Sequence, residues 1–97
     1  MWRHGDVMIA AVETLPEQAR PQAHGVLVYG EVTGHSHRLE SLENASVWTD
    51  RGELFVQVTA PTRIIHEEHL PITLPPGTYR VWQQREYTPE AIRTILD

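Results

Sequence analysis

From Ser46 to Thr59, two short runs rich in β-branched and aromatic residues flank Asp50-Arg51-Gly52, a pattern that commits the chain to β structure. Leu54, Val56 and Val58 share one face of the second arm, with Phe55, Gln57 and Thr59 on the other. Asp50-Arg51-Gly52 has the composition of a three-residue hairpin loop, with glycine at the left-handed position. Short runs of the same kind recur at Val26 to Tyr29, His35 to Leu39, Thr62 to Ile65, Pro71 to Leu74 and Thr78 to Gln84, each bounded by Gly, Pro or polar turn residues. Pro75-Pro76-Gly77 reads as a tight corner between the last two. Asp6 to Val12 reads as a strand buried on both faces or near the centre of a sheet, and Pro16 to Gly25, which lacks alternation, as a surface loop. Seven to eight short strands in 97 residues predict one all-β domain, a small β-sandwich or barrel. At the end of the chain, Thr88 as cap, Pro89 in the first turn and Glu90 beside it predict a short helix over residues 89–96, with Ile92, Ile95 and Leu96 on its apolar side.

Composition removes several chemistries. Without cysteine there is no disulfide framework, thiolate metal site or cysteine nucleophile. All eight basic residues are arginine, so lysine Schiff bases and the P-loop lysine are excluded. A net charge of -5 with dispersed arginines argues against duplex DNA and anionic membrane as partners, because both demand a concentrated positive field. No apolar run is long enough for a membrane helix, and Met1-Trp2-Arg3-His4-Gly5-Asp6 has no apolar core of a secretory signal, so a cytoplasmic location is expected.

The remaining chemistry concentrates in two short runs, Gly30 to Glu40 and Ile65 to His69, which together hold four of the six histidines. If His35 to Leu39 is extended, His35 and His37 project from one face about 6.6 Å apart along the strand. With His66, and either Glu67 or His69, they make a nitrogen and oxygen ligand set suited to a divalent metal such as zinc, iron or manganese. Glu40 is then the expected base, with His66 and His69 as further catalytic candidates. The plainer reading makes these histidines polar residues at strand ends. His4 and His24 stand alone in expected loops and carry no site expectation. His66-Glu67-Glu68-His69 is not the helical zinc-protease motif, because only two residues separate its histidines and Pro71 follows almost at once. Arg80, Trp82 and Arg85 are candidate contacts for an anionic, planar substrate, against the plainer reading of core aromatics and ion-paired arginines.

Gly30, His35, His37 and Glu40 follow one another in the order of the first cupin motif, which the segment resembles over about a tenth of the chain. That resemblance implies a β-barrel with a histidine-bound metal. The order departs from the cupin pattern in its second half, where Pro76-Gly77 comes after His66 and His69 rather than before the third histidine. More broadly, Gly30 to His37, His66 to His69 and Gln84-Arg85-Glu86-Tyr87-Thr88-Pro89 resemble a group of small bacterial and phage-borne proteins without an assigned activity.

The leading expectation is a small metalloenzyme performing hydrolytic or oxidative work on a small polar substrate. Two rivals come from other classes. One is metal-free cleavage of RNA by a histidine acid and base. The other is a binding or assembly module, for which a homo-oligomer is expected because so short a chain gains stability from a partner.

Overall fold

The computed structural model describes residues 1–30 and 34–84, and the expected helix at residues 89–96 lies outside them. Ten strands occur among the described residues: β1 (Trp2–His4), β2 (Val7–Val12), β3 (Arg20–Pro21), β4 (Val26–Tyr29), β5 (Ser36–Leu39), β6 (Ala45–Asp50), β7 (Glu53–Val58), β8 (Thr62–Ile65), β9 (Ile72–Leu74) and β10 (Gly77–Gln83). The fold is all-β. A six-stranded sheet runs β1-β2-β10-β7-β6-β3 and a four-stranded sheet runs β4-β5-β8-β9. Among the described residues no helix is long and apolar enough to cross a membrane.

The predicted hairpin is β6–β7, but its connection is tighter than expected. Asp50 pairs with Glu53 as the last rung of the ladder, leaving the two-residue loop Arg51-Gly52. Both loop residues have positive φ, 53° and 80°, as a type I′ turn requires for its twist to match the strands. The two strands beyond those expected are the short edge strands β1 and β3. β1 returns on β2 through Gly5-Asp6, with His4 paired to Val7, and φ of 65° at Gly5 fits a II′ turn with glycine first.

Prolines mark two places where the chain passes between sheets. Pro61 separates β7 from β8, and Pro75-Pro76 separates β9 from β10, so each pair of consecutive strands lies in different sheets. Proline has no N–H to give to a ladder, which ends each strand and frees the chain to cross.

One apolar cluster joins both sheets into a sandwich. Val7, Ile9, Val47, Val56, Val58, Tyr79 and Val81 come from the larger sheet, and Leu27, Leu39, Ile64 and Leu74 from the smaller. β2 buries Val7 and Ile9 completely while Met8 and Ala10 stay half-exposed, so it is buried on one face only. Trp2 meets Tyr79 edge to face, with ring centroids 5.4 Å apart, and closes one end of the cluster. Ile64 is wholly buried at its centre. Ile64→Val, which deletes one methylene there, should cost about 1 kcal/mol in a urea unfolding experiment.

Candidate metal centre

Five histidines converge where the two sheets part. His4 ends β1 on the larger sheet, and His37 lies on β5 of the smaller one. His66 and His69 belong to the segment that leaves β8 and returns as β9. His4 and His37 are 2% and 3% exposed, which puts polar rings in the core and requires partners for them. His66 is half-buried and His69 exposed, so the group grades from a buried floor to an open mouth.

The hydrogen bonds fix the tautomers of the two buried rings. His4 Nε2 lies 2.9 Å from the Leu70 carbonyl, which only accepts, so Nε2 carries the proton. Burial lowers the His4 pKa, which favours the neutral ring with Nδ1 unprotonated. His37 Nδ1, 3.0 Å from that atom, must therefore donate to it. The unshared pair of His37 is left on Nε2, which faces Asp6 Oδ1 at 3.6 Å.

Nitrogens of His37, His66 and His69 all lie within 4.8 Å of one another. A tetrahedral ion with metal–nitrogen bonds of about 2.0–2.1 Å holds its donors roughly 3.3 Å apart, so the three rings need to close by at most ~1.5 Å. His66 and His69 share the 66–70 segment and can make that movement, whereas His37 is fixed in the core. His66 Nδ1 accepts the Glu68 N–H at 3.0 Å, which leaves its proton on Nε2. Closing onto an ion through Nε2 thus releases the Glu68 amide or turns the ring over.

The floor is made by a glycine. A Cβ built on Gly5 falls 2.7 Å from His69 Nε2 and 3.1 Å from His37 Cε1, so the II′ turn brings backbone against the rings and a side chain there would push His69 aside. Asp6, next in that turn, is held by Gln83 Nε2 donating to Oδ2 at 2.6 Å. Above lies a cavity of about 440 Å³, whose walls include Arg3, Asp6, Tyr29, His35, Glu68 and Gln83.

Burial holds the His37 pKa at about 4 instead of 6.5, with His66 and His4 lowering it further and Asp6 opposing them. The unfolded chain then binds the extra proton, so the metal-free protein keeps full stability above pH 6.5 and loses it as pH falls through about 4. Urea midpoints should drop across that window, and His37→Phe should flatten the drop.

The histidines expected to share one strand face divide between two groups. His37 stands with His66 and His69, while His35 stands with His66 and Glu67. β5 begins at Ser36, so His35 precedes the strand and strand alternation does not fix its direction. Glu67 uses Oε1 to accept the Ser36 N–H and Oε2 to accept Arg38, contacts that hold its pKa at about 2, the Ser36 amide contributing most. Glu40 does not line the cavity; both its oxygens accept from Arg63, at 2.8 and 2.7 Å. Arg80 pairs with Glu53 at 3.3 Å and stacks 5.1 Å from the Trp82 ring centroid, and neither lines the cavity. Arg85 lies outside the described residues.

A family model described as a domain of unknown function, DUF8820, matches residues 3–84. The chain belongs to this family. The DUF8820 match takes in His4, Gly5, Asp6, His37, His66 and His69, and stops short of residues 85–97. No curated protein and no solved structure matches the chain.

The three members of this constellation missed in the sequence are His4, Gly5 and Asp6. One local signal was available: Gly-Asp between two short runs is a hairpin dipeptide, and it places His4 on a strand rather than in a loop.

Proposed function

We propose that this DUF8820 chain is a small metal-dependent hydrolase, with His37, His66 and His69 holding a divalent ion and a small polar substrate entering the cavity above. The observation that carries the reading is the convergence of possible donors: nitrogens of three imidazoles lie within 4.8 Å of one another, and Asp6 Oδ1 sits 3.6 Å from His37 Nε2. The unshared pair of His37 Nε2 and the Asp6 carboxylate repel each other, and a cation beside them would turn that repulsion into binding. Three neutral nitrogen donors with one open side form the ligand set of hydrolytic zinc sites, where the metal brings the pKa of water close to 7. Asp6 supports a hydrolytic rather than oxidative use. Its Oδ1 lies beside the ligands and its Oδ2 is anchored by Gln83, so it is placed to accept a proton from the attacking water.

The test uses untagged, chelator-stripped protein. Zinc or cobalt titration should give one ion per chain, and the loaded protein should hydrolyse members of a panel of small carboxylic and phosphoric esters. Asp6→Asn should keep the ion and lose turnover by about 10²-fold or more. Absence of stoichiometric binding rejects the reading.

One observation favours metal-free RNA cleavage as a second reading. The His66 ring lies 4.3 Å, centroid to centroid, from His37, whose Nε2 offers an unshared pair, so an imidazolium at His66 would stand as acid beside a base. RNA cleavage undiminished in excess chelator selects this reading over the first.

A further inference from the structure

We infer that His4 is a positioning residue that aims the metal ligand His37: by accepting the His37 Nδ1 proton it presents Nε2, and no other atom of that ring, to the ion. The inference rests on the metal reading of the site, but its structural basis is independent of any ion.

A histidine binds metal through either nitrogen, and a ring free to exchange tautomers spends part of its time with the ligating atom protonated. Here a chain of two hydrogen bonds removes that freedom. The Leu70 carbonyl takes the His4 Nε2 proton at 2.9 Å, and His4 Nδ1 takes the His37 Nδ1 proton at 3.0 Å. Both rings are buried and cross at 80°, with centroids 4.9 Å apart, so neither turns without breaking its bond inside the core. A carbonyl or carboxylate commonly serves as the outer partner of a metal-binding histidine. In this chain a second histidine occupies that position and passes the polarity of a backbone carbonyl to the ligand.

The far end of the chain of bonds matters as much. Leu70 closes the 66–70 segment that carries the other two ligands. His4 therefore touches all parts of the ligand set: His37 directly, and the segment of His66 and His69 through Leu70. From the end of β1 it spans 33 and 66 positions of sequence to do so. Its neighbour Gly5 packs under His69 and His37, so one turn fixes the orientation of the buried ligand and the depth of the exposed one.

The test reads imidazole nitrogens by long-range proton–nitrogen correlation on full-length protein labelled with ¹⁵N-histidine, first metal-free at pH 7.5. His37 is expected as the Nδ1–H tautomer and His4 as Nε2–H. Zinc affinity is then compared among three forms. His4→Phe keeps the ring shape without an acceptor, and should weaken zinc binding about 10–100-fold and mix the tautomers of His37. His4→Asn restores an acceptor near the place of Nδ1, and should recover affinity to within about threefold and return the single tautomer. A His37 proton on Nε2 in the native chain overturns the inference, as does His4→Phe binding zinc as tightly as the native protein. Failure of the native chain to bind zinc rejects the metal site instead, and the inference with it, whatever tautomer is read. If His4→Phe does not fold, the native tautomers and the affinity of His4→Asn decide: a loss in His4→Asn equal to that of His37→Ala counts against the inference.

Discussion

His66→Ala should lower the affinity for cobalt(II) by about 10²–10³-fold and abolish the intense visible absorption of a tetrahedral ion. The size follows from the donor count. Structural zinc binding is worth ~10–16 kcal/mol over four ligands, or roughly 2.5–4 kcal/mol each, and 1.4 kcal/mol is a factor of ten. His37→Ala should lose as much affinity and some stability besides, since it also leaves His4 Nδ1 without its donor in the core. His35→Ala is the informative contrast. His35 is grouped with His66 and Glu67 rather than with His37 and His69, and both oxygens of Glu67 are already engaged. Its loss should change cobalt affinity by less than about tenfold. Equal effects from His35 and His69 would mean that the ion sits nearer the mouth of the cavity than the floor. Affinities are read by competition against a coloured chelator and absorption by cobalt titration.

Gly5→Ala should fold and fail to bind metal normally, with a loss of about 10²-fold or more. A Cβ at this position falls 2.7 Å from His69 Nε2, well inside contact distance. The ring belongs to an exposed side chain and swings aside, so the collision is relieved by moving a ligand rather than by unfolding. A positive φ of 65° adds strain of about 1 kcal/mol for a residue with a side chain. Gly52→Ala separates the two effects, because Gly52 has a positive φ of 80° but nothing within 4 Å of its Cβ position. It should show the same order of destabilisation in urea with unchanged metal affinity. If the two variants bind metal alike, the floor of the site does not depend on the approach of Gly5.

Local pattern carried most of the architecture. β4 and β8 run where their apolar residues and flanking breakers indicate, and the β6–β7 hairpin follows from two runs of β-branched and aromatic residues around a glycine turn. Such features are legible because their causes lie within a few residues. Pro75-Pro76-Gly77 shows the limit. The corner was legible as a break, yet pairing between its flanking strands was not decided locally, and the strands went to different sheets. The site divides the same way. His37, His66 and His69 stood out as dense clusters of donors, whereas His4 and Asp6 are isolated letters whose value comes from partners 33 to 77 positions away. The pairing of Glu40 with Arg63 was hidden for the same reason. The Glu40 backbone N–H donates to the Arg63 carbonyl across the edge of the β5–β8 pairing, and that register delivers a guanidinium to the carboxylate. No spacing within Gly30 to Glu40 reveals it.

All three proposed ligands sit on the smaller sheet and its β8–β9 segment, while His4 and Gly5 reach them from the larger sheet, so a bound ion would draw that segment down onto the turn between β1 and β2. Local opening of the 66–70 segment would then have to release the ion, so metal should slow the rate at which the amides of Leu70 and its neighbours trade hydrogen for deuterium. Cells short of the metal would then hold a looser, more protease-sensitive form of the same chain, making its abundance track metal supply.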